Sequence, residues 1–394
     1  RDFQGTFDMR SEGLEVAGYP LKNLEASGGI RPAISPDNRL NHPIYIDRLE
    51  ADALGGKVTL SPGVMIPRWA AIGGLSSEGD RLSGPGRVGI FSGSLEVSGI
   101  DPGQITDNLG IEAQFELPSP LVRSRLDGKF TLSGHVDERS RGLRLDLETE
   151  DLKLSLAESV FGWGIGKPVT LSGAVGYERG PPGHAPPRGG RFKATHQVEL
   201  NEFELRQGSD AAEVDATIDL EERSIDLWGR VDLPGLQRLL GAFELNDISG
   251  QAKVTGLRIT GPWLNPRVRG KLRVGDTVIY AQDGGDIEAD LDIRDGLLRL
   301  KSVETRASWG RASASGQIRL WRGRFDQLDK RMPFTARNVI VRELQLDNLM
   351  PEIGISARVS VKADRVDGEA TRLLETIEGV GTIRGTQVKL GVDE

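Results

Sequence analysis

Residues 287–294 read IEADLDIR, and this stretch decides the fold class. Its aliphatic side chains alternate with charged ones. A period of two places the two sets on opposite faces of a β-strand, because successive side chains of an extended chain point to opposite sides. One face is then aliphatic and the other charged, which is typical of an antiparallel sheet with one face in water.

The same alternation recurs along the chain, in segments 143–148, 214–220 and 355–361. Between such segments we expect turns, and the clearest turn signals are RDG at 294–296, QDGG at 282–285 and VDG at 366–368. Long helical patterns do not alternate with the strands, which argues against parallel β/α units. The sequence therefore predicts a mostly β protein built from antiparallel strands.

Glycines separated by five residues recur within the strand-like segments. The five pairs are Gly93 and Gly99, Gly128 and Gly134, Gly250 and Gly256, Gly310 and Gly316, and Gly379 and Gly385. Both members of a pair share the parity of the aliphatic residues, so they lie on the apolar face. Glycine in a strand marks a bend, a bulge or a close approach. The pairs therefore indicate either a sheet that curls tightly at both edges or simple punctuation at turns, and the sequence leaves both open.

Composition excludes several classes of protein. The 394 residues include 51 Gly and no Cys, and 50 basic against 58 acidic side chains give a net charge of −8. Without Cys there is no disulfide framework, thiolate zinc site or Cys nucleophile. An acidic balance argues against a nucleic-acid partner. No stretch reaches the roughly 18 apolar residues of a membrane span. The chain starts without Met, so we expect an internal piece of a longer protein, with any membrane anchor outside it.

Helical spacing of apolar residues is confined to short segments. Leu236, Leu239, Leu240 and Phe243 follow one such pattern, and Ala370, Leu373, Leu374 and Ile377 follow a second, which ends at Gly379. A weaker pattern covers Leu156, Val160 and Trp163. We expect these helices to cap the open ends of the sheet.

The sequence contains no convincing catalytic or metal-binding motif. Four histidines are scattered between His42 and His196, whereas a metal site needs convergent ligands. The GPGRVG stretch at 84–89 precedes a strand pattern, not the helix that a dinucleotide site requires. The abundant carboxylates lie on the alternating polar face. The sequence therefore predicts a protein that is not an enzyme and that holds no cofactor and no metal.

Three segments carry a family resemblance. They are DLPGLQRLLG at 232–241, ISGQAKVTG at 248–256 and ITGPWLNPRVRGKLRV at 259–274. A short leucine-rich helix followed by such a glycine-punctuated strand series resembles the AsmA-like superfamily, and within it the TamB-type proteins of Gram-negative bacteria. The similarity is best over residues 230–320 and weaker over 80–230 and 340–394.

The resemblance implies a fold, a place and a function. The fold is a long U-shaped antiparallel sheet, called a β-taco or repeating β-groove, with a few short capping helices. Members are attached to the inner membrane, extend through the periplasm and are thought to conduct phospholipids toward the outer membrane. TamB-type members are also linked to outer-membrane β-barrel assembly, which implies a β-barrel partner. The N-terminal anchor and the aromatic-ending C-terminal strand of that family are not seen in this sequence.

On this interpretation four segments are expected along the chain. Residues 1–80 form an irregular β segment, 81–230 form groove repeats with a Pro/Gly-rich loop at 180–190, 231–330 form a helix plus groove module, and 331–394 form a further, truncated helix and repeat.

Alternation also predicts which side chains would line the groove and touch phospholipid acyl chains. They are Val97, Leu132, Ala252, Val254, Leu272, Val274, Ala289, Leu291, Ile293, Ala312, Ala314, Ile318, Leu320 and Val359. Two other functions stay open on the sequence: a scaffold or chaperone that cradles client β-strands at its sheet edges, and an enzyme or sugar-binding β-solenoid that uses carboxylates of the outer face.

Overall fold

The computed structural model describes most of the chain, with gaps between the described segments. The described segments are residues 4–16, 19–30, 33–34, 40–41, 44–66, 87–104, 124–137, 143–156, 167–179, 196–233, 235, 240, 245, 247–279, 282–324, 329–345 and 355–390. Strands hold 83% of them.

The strands are long, and most contain ten to fifteen residues. Their bounds are β1 Gly5–Val16, β2 Tyr19–Ile30, β3 Ala33–Ile34, β4 Leu40–Asn41, β5 Ile44–Ala53, β6 Gly56–Ile66, β7 Arg87–Ile100, β8 Arg125–Asp137, β9 Leu143–Ser155, β10 Val169–Arg179, β11 His196–Gln207, β12 Asp210–Asp219, β13 Ser224–Leu233, β14 Ile248–Pro262, β15 Arg267–Ile279, β16 Gln282–Arg294, β17 Leu297–Ala307, β18 Gly310–Arg319, β19 Pro333–Gln345, β20 Ile355–Glu369 and β21 Glu378–Leu390.

Nineteen of these strands form one sheet, and each strand pairs antiparallel with its neighbours in the chain. β3 and β4 form a separate pair of two-residue strands, so β2 pairs directly with β5. The sheet is a long, open, U-shaped antiparallel sheet, which confirms the predicted fold class. Within the described residues β1 and β21 are its two edges.

Of the three turn signals, one is correct and two are wrong. Asp295 and Gly296 connect β16 to β17 with φ of 51° and 69°, the two positive values of a type I′ hairpin. The signal at 366–368 lies inside β20, where Arg365 and Thr335 hold the carboxylate of Asp367. The signal at 282–285 begins β16, because the Asp283 carboxylate accepts hydrogen bonds from the backbone N–H groups of Gly285 and Ser308.

The glycine pair of β14 bends the strand at both positions. Gly250 has a φ of 149° and Gly256 a φ of 57°, and the pairing register with β15 shifts at both places. Such β-bulges bend a strand and increase its twist. In this pair the glycines therefore serve curvature, the first of the two interpretations.

The second predicted helix is present. A 3₁₀-helix, Ala370–Arg372, is followed by the short α-helix α1, Leu373–Thr376, at the end of β20. The first pattern lies largely outside the described residues, although Leu240 is helical. The weaker pattern beyond Leu156 and the loop at 180–190 also lie outside them. Residues 1–66 contribute β1, β2, β5 and β6 to the sheet, and the division into four segments stays a prediction.

We predict that the two glycines of β14 respond differently to alanine. A Cβ at Gly250 would come within 2.9 Å of the carbonyl oxygen of Gly275, whereas one at Gly256 would meet nothing within 4 Å. Gly256→Ala should therefore cost about 1 kcal/mol of unfolding free energy from backbone strain alone. Gly250→Ala should cost about 3 kcal/mol, because steric overlap adds to the strain. Urea unfolding measures both values, and equal losses would contradict the bulge geometry.

Candidate functional site: the apolar face of the sheet

One row of apolar residues crosses the sheet almost from edge to edge. Each member faces the next across a strand pair, and the row passes through 18 of the 19 strands. It runs Phe7, Gly28, Ile46, Gly63, Gly93, Leu132, Leu147, Val175, Leu200, Ala216, Leu227, Ile259, Val268, Ile293, Leu298, Ile318, Phe334, Gly368. It contains no polar or charged side chain, and every member is buried or partly buried.

The structure brings thirteen of the fourteen predicted groove residues onto the face of this row. Leu132, Ile293 and Ile318 belong to it. The others lie on the same face in parallel rows or beside them: Ala252, Val274 and Ala312; Val254, Leu272, Ala289 and Ala314; Leu291; Val97; and Val359. Leu320 lies one residue past the end of β18, and its backbone N–H donates to the carbonyl of Gly296.

The sequence did not predict the first four members of the row. Phe7, Gly28, Ile46 and Gly63 lie in segments where proline and glycine obscure the alternation. Ile44, Ile46 and Leu49 share the apolar face, but a register shift between Ile46 and Arg48 breaks the period of two there.

Small residues on this face are almost inaccessible to water. Eight alanines there are at most 8% exposed. They are Ala26, Ala51, Ala53, Ala216, Ala252, Ala289, Ala357 and Ala363. An alanine side chain on a flat single-layer sheet would be exposed, so larger neighbours must converge over these positions. The face is therefore concave.

No second layer seals the concave face within the described residues. Substantial contacts between elements join sheet neighbours, apart from α1 packing on β20. Leu272, Leu291, Ile293 and Ile318 remain only partly buried. Two tighter patches occur: one around Val97, Ile100, Leu152, Val169 and Leu171, and one where Leu240 packs against Leu233, Ala252 and Val274. By the described residues, the face is thus lined with side chains and, over much of its length, not filled.

The opposite face carries paired charges. Lys253 lies 3.4 Å from Asp232, and Arg273 lies 3.1 Å from Glu288 on the next strand pair. Asp292 is only 6% exposed and accepts hydrogen bonds from Arg294 at 3.0 and 3.2 Å, with Arg269 at 3.8 Å. Burial opposes ionisation of Asp292, but Arg294, Arg269 and Lys301 outweigh it and lower its pKa below the usual value.

The polar face offers no obvious reaction centre in the part of the chain that is described. Two open clefts of about 620 Å³ each lie over β7–β12 and share Glu148, Thr149 and Glu150. Among the described residues no three His, Asp or Glu side chains are grouped to hold a metal ion. No helix in the described ranges is long and apolar enough to cross a bilayer.

No protein-family model matches the chain, and neither a curated protein nor a solved structure matches it. The resemblance to the AsmA-like superfamily therefore stays a prediction from the sequence motifs.

We predict that Asp292→Asn lowers the free energy of unfolding at pH 7 by about 1–3 kcal/mol, because two hydrogen bonds from a guanidinium are weakened. A folded-state pKa below the unfolded value of about 3.9 means that the ionised carboxylate stabilises the fold above about pH 4. This stabilisation disappears as the pH falls through the folded-state pKa. The difference between wild type and variant should therefore narrow below about pH 4 in urea titrations.

Asp290→Asn is the matched control, since Asp290 is an exposed carboxylate two residues away on the same face. It should change the unfolding free energy by less than about 0.5 kcal/mol. Equal losses in the two variants, or a difference that persists unchanged at pH 3, would show that the Asp292 ion pair does not stabilise the fold.

Proposed function

We propose that the protein carries phospholipid acyl chains along the concave apolar face, without catalysing a reaction. The observation that supports this is the unbroken apolar row through 18 strands. At about 4.8 Å per strand, the row extends on the order of 80 Å. A globular protein packs its apolar side chains against one another in a core and does not need a long open apolar surface. A lipid conduit needs an apolar surface that continues without interruption.

The chemistry of the face suits hydrocarbon. Acyl chains have no hydrogen-bonding groups. A lining of Val, Leu, Ile, Ala and Gly therefore suits them, because it has no polar side chain that would lose hydrogen bonds to water when a chain covers it. Each methylene transferred from water to such a surface gains about 0.8 kcal/mol. Because the contacts are non-directional, a chain could slide from strand to strand at little cost. Head groups would stay in water at the open side.

The family resemblance supplies the remainder of the proposal. It adds a periplasmic location, an inner-membrane anchor outside this sequence, transport between the inner and outer membranes, and a β-barrel partner in the outer membrane. These expectations rest on the motifs at 232–274.

A scaffold for β-barrel assembly is the second candidate function. It is favoured by the edge strand β21, where Val380 is 85% and Ile383 is 73% exposed. Open strand edges with apolar side chains accept further strands by β-augmentation. Client strands that crosslink to β21 in a preparation free of lipid would support this function over transport.

We predict that a charge on the apolar face blocks lipid binding. Val254 lies in the row Val231, Val254, Leu272, whereas Thr255 is exposed on the other face. Val254→Glu should reduce the phospholipid that is retained after incubation with vesicles at least tenfold, because a carboxylate in the path of the chain must be desolvated. Mass spectrometry of the extracted lipid measures the effect.

Thr255→Glu adds the same charge one residue away and should retain lipid as the wild type does. Circular dichroism and the melting temperature of both variants establish that the sheet is folded. A folded Val254→Glu protein that still retains wild-type amounts of lipid would overturn the proposed conduit.

A further inference from the structure

One end of the strand hairpins forms a continuous hydrogen-bonded ridge. We call it the basic rim and define it by the described residues 262–267, 294–296, 319–324, 329–332 and 369–376. The Trp321 indole donates to Asn265 at 3.3 Å, and the Asn265 amide donates to Asp295 at 3.1 Å. Arg319 donates to the Asp295 carbonyl at 3.0 Å. Three successive hairpin ends are thereby joined.

The same ridge continues to the turn that precedes β21. The backbone N–H of Ala370 donates to the carbonyl of Met332 at 3.1 Å, and the Thr371 hydroxyl lies 3.2 Å from the carbonyl of Lys330. Trp321 and Met332 are 7% and 4% exposed, so the ridge has an apolar underside. The rim is therefore an ordered structure that spans four hairpins.

Charge on this rim opposes the charge of the whole chain. Its described residues hold eight basic and four acidic side chains, whereas the protein as a whole has a net charge of −8. The basic residues are Arg267, Arg294, Arg319, Arg322, Arg324, Lys330, Arg331 and Arg372, and the acidic ones are Asp295, Asp329, Glu369 and Glu375.

The opposite rim has the reverse balance. The described residues 207–210, 247, 276–279, 282–286, 306–311 and 343–345 hold six acidic and two basic side chains. The acidic residues are Asp210, Asp247, Asp276, Asp283, Asp286 and Glu343, and the basic ones are Arg306 and Arg311. Over β14–β21 the mouth of the U is therefore electrically asymmetric. The adjacent turn between β12 and β13 lies on the side of the basic rim but is acidic, with Asp219, Glu221 and Glu222 against Arg223.

The basic rim borders the apolar row directly. Ile318 of the row precedes Arg319, and Phe334 follows Met332 by two residues. The side chains of Arg322 and Arg331 are each 80% exposed, and Arg331 is only loosely paired, at 4.0 Å from Glu369. Arg322 donates to Asp329 at 3.1 Å, but most of its side chain and that of Arg331 face water, where a ligand whose apolar part lies on the row can reach them.

We propose that the basic rim binds the phosphate of an anionic phospholipid whose acyl chains lie on the apolar face. This inference rests on the proposed function and names its preferred substrate class. Guanidinium and ammonium groups bind phosphate oxygens through charge-assisted hydrogen bonds. A zwitterionic lipid brings an ammonium group that the net positive rim repels, so a lipid with a glycerol head group binds more tightly than one with ethanolamine.

The test compares two double variants that lower the net charge equally. Lys330→Gln/Arg331→Gln removes two exposed charges from the basic rim, and Arg306→Gln/Arg311→Gln removes two from the opposite rim, where these arginines face each other across β17 and β18. Each protein is incubated with vesicles of equal parts phosphatidylglycerol and phosphatidylethanolamine. The ratio of the two lipids in the bound fraction is then measured by mass spectrometry.

Lipid bound to the wild type should be enriched in phosphatidylglycerol over phosphatidylethanolamine. In the basic-rim variant this enrichment should be about fivefold smaller, the order expected for the loss of two exposed charge contacts. The opposite-rim variant should keep it. In 1 M salt, where the Debye length is about 3 Å, the wild-type enrichment should fall to that of the basic-rim variant.

Several results would overturn the inference. If the wild type binds lipid without enrichment in phosphatidylglycerol, the basic rim does not select the head group, although the proposed conduit is not contradicted. If the wild type binds no lipid at all, the proposed function itself is contradicted. Equal losses in both double variants would mean that only net charge matters. Calorimetric titration with inorganic phosphate distinguishes the source of the phosphate: a head-group site binds it too weakly to detect, and tight binding without lipid would make the rim a site for free phosphate.

Discussion

The structure depends on keeping one face of a single-layer sheet apolar through 18 strands. A slip of one residue would turn every side chain of a strand to the other face, yet the alternation does change phase inside strands. In β14 the apolar positions pass from Ala252 and Val254 to Leu257 and Ile259, and a bulge at Gly256 absorbs the extra residue. A similar slip occurs in β11 between Leu200 and Phe203, where Glu202 adopts a positive φ of 49°. Bulges therefore serve both to hold the apolar face in phase and to curve the sheet around it.

An open apolar face also requires a polar face that keeps the molecule in solution. Exposed ion pairs such as those of Lys253 and Arg273 contribute little stability individually, but they cover the outer side with charge and discourage stacking of sheets. At the strand ends of β14–β21 the charges are sorted between two rims. The fold thus separates three environments: the apolar face, the basic rim and the opposite rim, which is acidic. An anionic phospholipid has acyl chains for the apolar face and a phosphate for the basic rim, and this correspondence connects the proposed conduit with its proposed preference for anionic head groups.

The sequence predicted the fold class and which side chains share the apolar face, because both depend on a local period of two. Thirteen of the fourteen predicted lining residues share one face of the sheet, and Leu320 lies one residue past the end of β18. Their contact with acyl chains stays a prediction. Long-range features could not be predicted. The VDG signal at 366–368 stays in a strand because Thr335, 32 residues away, binds Asp367. The rim depends on a contact between Trp321 and Asn265, which are 56 residues apart. The positive φ angles of Asp276 and Asn338 could not be predicted either, because no local sequence pattern indicates them.

The central claim is that acyl chains occupy the inner face of the sheet and no other. Because the chain contains no Cys, single cysteines introduced at successive positions 287–293 of β16 can each carry one fluorophore. Quenching by phospholipids with brominated acyl chains then measures which side chains touch lipid. If acyl chains lie on the inner face, quenching should be strong at 287, 289, 291 and 293 and weak at 288, 290 and 292. Quenching without this alternation, or none at any position in a protein that retains lipid, would contradict this claim.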